Sequence, residues 1–223
     1  MNILASFLVL VTGYVLARSF FLLSSDKKRQ PLFSCPECSG RFYEVLCPSC
    51  GFRFPVSFYL TLIVFTVVNT CFYSHFGIKT YFAYNYALSV IFLYIAIFDL
   101  KKSIVPDGSV ILLAVSGILS LFLFSDYNLY PMSIVSCAGG LAAGFGIMYL
   151  LALISGVEMG GDIKLAAALG ILSGYQNILF IILYASFIFA LISLLLRKKM
   201  GDKMPFAPYM VLGYYLWYAL PLF

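Results

Sequence analysis

Four of the six cysteines in this 223-residue chain fall in one short stretch: Cys35-Pro-Glu-Cys38 and, eight residues later, Cys47-Pro-Ser-Cys50-Gly51. A CxxC turn can present two thiolates to one metal ion, and two such turns complete a tetrahedral four-sulfur site. The pattern is that of a compact zinc knuckle. With Cys35, Cys38, Cys47 and Cys50 as ligands and no open position, the zinc would be structural rather than hydrolytic. It would organise a loop of about thirty residues that has too little core to fold alone. A set of redox-active or unpaired thiols is the other reading of the same spacing. Cys71 and Cys137 stand in or beside apolar runs, where cysteine behaves as a small hydrophobe.

The second group with chemical capacity is acidic. The chain has nine Asp and Glu. Asp26, Glu37 and Glu44 belong to the cysteine loop, and Asp126 and Asp202 read as loop residues. Asp99 ends an apolar run, FLYIAIFDLKK, at a depth where an ionised carboxylate is costly, so function is the first hypothesis for it. Asp162 follows Gly160-Gly161, and paired glycines let the backbone approach a substrate or a facing helix closely. Two carboxylates meeting in a partly dry site share one proton and titrate as a unit. The ionised member can then draw a proton from water while the protonated member polarises a peptide carbonyl. That is peptide hydrolysis without a metal or a covalent intermediate. The plainer alternatives are an interface carboxylate neutralised by Lys101 or Lys102 for Asp99, and a helix N-cap for Asp162. Pro106-Asp107-Gly108 reads as a turn and N-cap, and Glu158 as a solvated carboxylate.

The elements that must position these residues are membrane helices. Hydrophobic residues make up 63% of the chain and charged residues only 10%, against about a quarter charged in soluble domains. The mean hydropathy of +1.01 and the recurring long apolar stretches exclude disorder, most soluble enzymes and an alternating β-barrel. The expected fold is all-α and polytopic, with about eight transmembrane helices at 2–23, 57–74, 81–98, 109–124, 132–154, 163–174, 177–196 and 206–222. Residues 1–23 form the first transmembrane helix, 24–56 the cytoplasmic zinc-knuckle loop, and 57–223 a seven-helix core. The sixth run, rich in Ala and Gly, should pack inside the bundle.

The net charge of +5 is a topology signal rather than a nucleic-acid surface. With both termini outside, twelve of the fourteen Lys and Arg fall in or beside cytoplasmic loops, as the positive-inside rule requires. Lys79 falls outside, and Arg18 is expected to snorkel from the cytoplasmic end of the first span. The first run has no basic residue before it and no clear cleavage site, so it reads as a retained anchor rather than a signal peptide.

These residues resemble a known family, the bacterial type IV prepilin peptidases. Ala96-Ile97-Phe98-Asp99-Leu100 through Pro106-Asp107 is similar to its first aspartate motif. Gly161-Asp162-Ile163-Lys164-Leu165 is similar to its GxGD motif, and Met204-Pro205-Phe206-Ala207-Pro208 to its later Pro-Phe-Gly-Pro segment. The resemblance implies an intramembrane aspartic endopeptidase at the cytoplasmic face of the bacterial inner membrane. Its partners would be prepilin or pseudopilin precursors, cut between a short basic leader and a hydrophobic helix. It implies Asp99 and Asp162 as the catalytic pair, with Gly160, Gly161, Lys164, Pro205, Phe206, Ala207 and Pro208 lining the site. Lys164 would tune the pair or position substrate, unless it is a positive-inside anchor.

Three departures from the family pattern stand out. Met159 occupies the first glycine position of GxGD, Ala207 replaces a glycine, and the CxxC pairs are eight residues apart rather than about twenty. Many members also methylate the new N-terminus, with S-adenosylmethionine as cofactor. That activity is tied to the N-terminal region that matches poorly here, so it is unsupported. Two other functions use the same residues: an ion-coupled transporter with Asp99 and Asp162 as cation sites, and a non-catalytic pilus or secretion assembly factor docking through its knuckle. A transporter should show two related halves with broken helices at midplane; the sequence shows no such halving, and its aspartates lie near the cytoplasmic edge.

Overall fold

The computed structural model describes residues 3–23, 35, 38, 47, 49–76, 80–123, 133–156, 160–195 and 205–219. Met159, Glu158, Lys79 and the basic groups at 27–29 and 197–203 lie outside these residues. The described residues are helical, with no β-strand among them. They form α1 (Ile3–Leu23), α2 (Val56–Phe76), α3 (Thr80–Lys102), α4 (Asp107–Leu123), α5 (Ile134–Ser155), α6 (Gly160–Leu195) and α7 (Ala207–Ala219). Val56–Ser74, Tyr81–Lys102, Ile134–Ser155 and Gly160–Leu195 are long and apolar enough to cross a bilayer. A helix suits that solvent because every backbone polar group can be satisfied within the segment. The protein is a helical membrane protein. Its chain divides into two compact units, Met1–Lys102 and Ser103–Phe223.

In the first unit, α1, α2 and α3 all pack on one another. Val9, Ala17 and Phe21 of α1, Phe58 and Phe65 of α2, and Leu93 and Ile97 of α3 share one core, which also takes in Phe54, Cys35 and Cys47. Polar side chains inside it are tied locally. The buried amides of Asn69 and Asn85 donate to the carbonyls of Phe65 and Tyr81, one helical turn back. The Tyr86 hydroxyl bonds Thr12 Oγ1 at 2.7 Å, joining α3 to α1. Arg18 does not snorkel as expected: it is 1% exposed. Its guanidinium donates to the Tyr14 hydroxyl at 2.9 Å and lies 5.7 Å from the Phe54 ring centroid. A hydroxyl and an aromatic face hold the charge inside where open water was anticipated. α3 stops where Ser103 turns to φ 52, a left-handed conformation common just past helix ends.

In the second unit α6 is the hub, packing against α4, α5 and α7. Ser133 caps α5, accepting from the Ser136 N–H, and Gly156 closes it in a left-handed conformation. α5 approaches α6 through small residues. A methyl group on Gly140 would strike the Gly170 carbonyl, and one on Gly144 the Ala166 carbonyl. α6 is two helices joined at Gly174, whose φ 80 and ψ 168 are non-helical. The two apolar runs 163–174 and 177–196 therefore lie on either side of a break. The Ser173 carbonyl at the break is satisfied by the Asn177 side-chain amide at 2.8 Å. α7 packs along the second half of α6, with the Phe180 and Trp217 rings stacked 4.5 Å apart.

Candidate active site and metal centre

Asp99 sits in the last turn of α3, which runs on through Lys102 rather than stopping at residue 98. It is 4% exposed, buried to a degree that a charged side chain reaches only with partners. Asp162 lies in the first turn of α6, where the exposed N–H groups and the helix dipole favour a negative charge. It is half-buried. Asp99 belongs to the first unit and Asp162 to the second.

Around Asp162 the local arrangement follows from small residues and a rigid turn. A Cβ on Gly161 would stand 3.3 Å from Cβ and Cγ2 of Val105, whereas one on Gly160 would meet nothing. Gly161 is therefore the member of the pair that lets the segment before α4 lie close against the start of α6. Asp107 is the first residue of α4 rather than its cap; the Pro106 carbonyl receives the Ser109 backbone and hydroxyl instead. Lys164 is paired with Asp107, Nζ to Oδ1 at 2.9 Å. Both side chains are more than half exposed, so the pair contributes only about 0–1 kcal/mol. Its effect is to join the beginnings of α4 and α6. Pro205 and Phe206 are half-buried, and Ala207 and Pro208 buried. Phe206 accepts from the N–H groups of Tyr209 and Met210 at the start of α7, and its ring meets Phe189 of α6.

The cysteines come together. Their four sulfurs lie within 4.8 Å of one another, with Cys35–Cys50 at 3.5 Å and Cys38–Cys47 at 3.6 Å. A tetrahedral zinc site with Zn–S of about 2.3 Å needs sulfurs about 3.8 Å apart. The cluster could therefore hold such an ion with small adjustment. The second CxxC turn is closed by Gly51, at φ 71, whose N–H donates to the Cys47 carbonyl while the Cys47 N–H donates to Phe52. Cys35 and Cys47 face the core, and Cys38 and Cys50 are exposed.

The thiols respond unequally to one another. Burial resists ionisation of Cys47, but the backbone N–H groups of Ser49 and Cys50 and the thiols of Cys35 and Cys50 outweigh it, bringing its pKa down to about 7. A backbone hydrogen bond from Phe52 favours the Cys50 thiolate. Desolvation and the three neighbouring sulfurs outweigh that bond and push its pKa up to about 12. Four thiolates this close repel each other, and a cation relieves the repulsion.

Sequence reasoning missed Arg18 and Lys101 as organising residues. Arg18 was read through membrane topology and Lys101 through topology or as a counter-charge for Asp99, and their aromatic partners, Phe54 and Phe21, are far from them in the chain.

Residues 86–194, which include both aspartates, match the type IV leader peptidase family. A prepilin leader peptidase/N-methyltransferase from Dichelobacter nodosus is 25% identical over 203 residues, covering 83% of this chain and 70% of its own. No solved structure matches. With Asp99 in the last turn of α3 and Asp162 in the first turn of α6, the matched segment is similar to the type IV leader peptidase family, and that likeness supports an enzyme of the prepilin peptidase class.

Proposed function

We propose that this protein is an intramembrane aspartic endopeptidase that removes the leader of type IV prepilin-like precursors, with Asp99 and Asp162 acting on one water molecule. The carrying observation is that the family match spans both residues, one buried at a helix end and one in a helix first turn. In this reading one carboxylate takes a proton from water as it attacks the scissile carbonyl, and the other, protonated, donates to the carbonyl oxygen. The chain crosses the inner membrane eight times with both termini outside, α6 supplying two crossings about Gly174, and the site opens to the cytoplasm. The proposal covers cleavage alone. Methyl transfer belongs to the name of the bacterial relative and is no part of this proposal.

Purified protein in bilayer discs, given a pilin-like precursor with a basic leader, should release that leader as a single product by mass spectrometry. An intact precursor after prolonged incubation with folded protein would contradict the proposal.

The four-cysteine cluster is proposed to hold a structural zinc. Cys50, with its pKa near 12, must lose a proton to bind at any physiological pH. Apparent affinity should therefore fall about tenfold per pH unit on acidification from this residue alone. Below about pH 7 Cys47 also gains its proton, and the slope steepens. Competition against a coloured chelator should show zinc held at least about a hundredfold more weakly at pH 6 than at pH 8. An affinity independent of pH would rule out thiolate ligation.

A further inference from the structure

We infer that Lys101 is a positioning residue for leader cleavage, clamping the last turn of α3, and with it Asp99, to the end of α1. The inference rests on the proposed catalytic role of Asp99.

α1 runs to Leu23, so the Phe21 carbonyl lies in its last turn, at the negative end of the helix dipole. Lys101 Nζ donates to that carbonyl at 3.1 Å. The same ammonium stands 3.9 Å from the centroid of the Phe21 ring. A cation is favoured at a helix C-terminus by the dipole and over an aromatic face by the ring quadrupole. One residue thus offers both attractions to one charge.

The anchor itself is fixed. Phe21 is buried and meets the rings of Phe54 at 5.1 Å, Phe58 at 5.9 Å and Phe52 at 6.3 Å. It shares its core with Cys35 and Cys47 of the knuckle and with Leu93 and Ile97 of α3. The last turn of α3 is therefore held by packing at Ile97 and by the ammonium at Lys101. Asp99 lies midway between them. Beyond Lys102 the helix is finished, with Ser103 already left-handed, so no further helical turn holds this one. Helix ends fray unless they are tied, and a carboxylate on a fraying turn samples many orientations of which few are productive.

The test is steady-state cleavage by Lys101→Gln, Lys101→Arg and Lys102→Gln, with Asp99→Asn in parallel and melting temperature recorded for each. Lys101→Gln should lower kcat about tenfold with KM within about twofold, because orientation is lost and not substrate binding. Lys101→Arg, which keeps both the donor and the cation over the ring, should recover most of the rate. Lys102→Gln removes the same charge from the same helix end and should cleave at the wild-type rate, which separates a clamp from a topology signal. Lys101→Met, which keeps an apolar stem on Phe21, is the second variant should Lys101→Gln fail to fold, and it should show the same loss. Wild-type kcat in the folded Lys101 variant, failure of Arg to rescue, or an equal loss in Lys102→Gln would overturn the clamp. An active Asp99→Asn would instead overturn the catalytic reading beneath it.

Discussion

Asp99→Asn and Asp162→Asn should each abolish leader cleavage while leaving the protein folded. Asparagine keeps the shape of aspartate but can neither accept the proton of an attacking water nor donate an acidic one to a carbonyl. Loss of a general acid or base costs about 10²–10⁴ in rate, and in the proposed mechanism, where the pair would share one proton, each residue is needed for both halves of the chemistry. A fall of about 10³ corresponds to about 4 kcal/mol of lost transition-state stabilisation. The loss should appear in kcat with the protein still folded, since the substitution conserves the size and shape of the side chain. Full processing by either single variant would remove that residue from the mechanism. Asp107→Asn is the informative comparison. Its carboxylate is exposed and paired with Lys164 across two helix starts, so its loss should be mild.

The largest structural effect is expected where α5 meets α6. Gly140 and Gly170 face each other so closely that a Cβ on either would collide with the other's backbone carbonyl. A backbone cannot step aside as a flexible side chain can. Gly140→Ala and Gly170→Ala should therefore destabilise the second unit by about 1–3 kcal/mol, despite the better helix propensity of alanine. A loss at the middle of that range corresponds to a melting temperature lower by about 4 °C or more. Gly146 lies on the same helix α5, but a methyl there meets nothing within 4 Å. Gly146→Ala should leave the melting temperature unchanged or slightly raised. Equal behaviour of Gly140→Ala and Gly146→Ala in a thermal unfolding series would contradict this packing.

What could be read from the sequence was what local spacing encodes. The four cysteines declare themselves because each CxxC turn is a short-range device, and the two turns need only a modest loop to meet. Helices were legible because long apolar runs leave little alternative. The break in α6 was visible as two runs separated near Gly174, since only glycine readily takes a φ of 80. The relation of Lys164 to Asp107 was not legible. Each was read through its own neighbours, as a site residue and as a cap, whereas the ion pair joins positions 57 residues apart. Arg18 failed as an expectation for a related reason. Its position in the span suggested water, but the stabilising groups include Tyr14 and a phenylalanine from the end of the cysteine loop. Lys101 carried a topology signal strong enough to hide a contact with Phe21, 80 residues earlier in the chain.

The central claim is that Asp99 and Asp162 act together on one water. It is tested most directly by proximity in the membrane. Asp99→Cys and Asp162→Cys, combined in one chain, should be joined by a thiol-reactive linker spanning about 8 Å, a reach that two groups sharing one proton fall well within. Mass spectrometry of the digested protein would identify the linked α3 and α6 peptides, and each single-substitution variant would control for the native thiols. The account predicts the α3–α6 link in high yield. Complete modification of both new cysteines by a monofunctional reagent, with no link at that length, would contradict it.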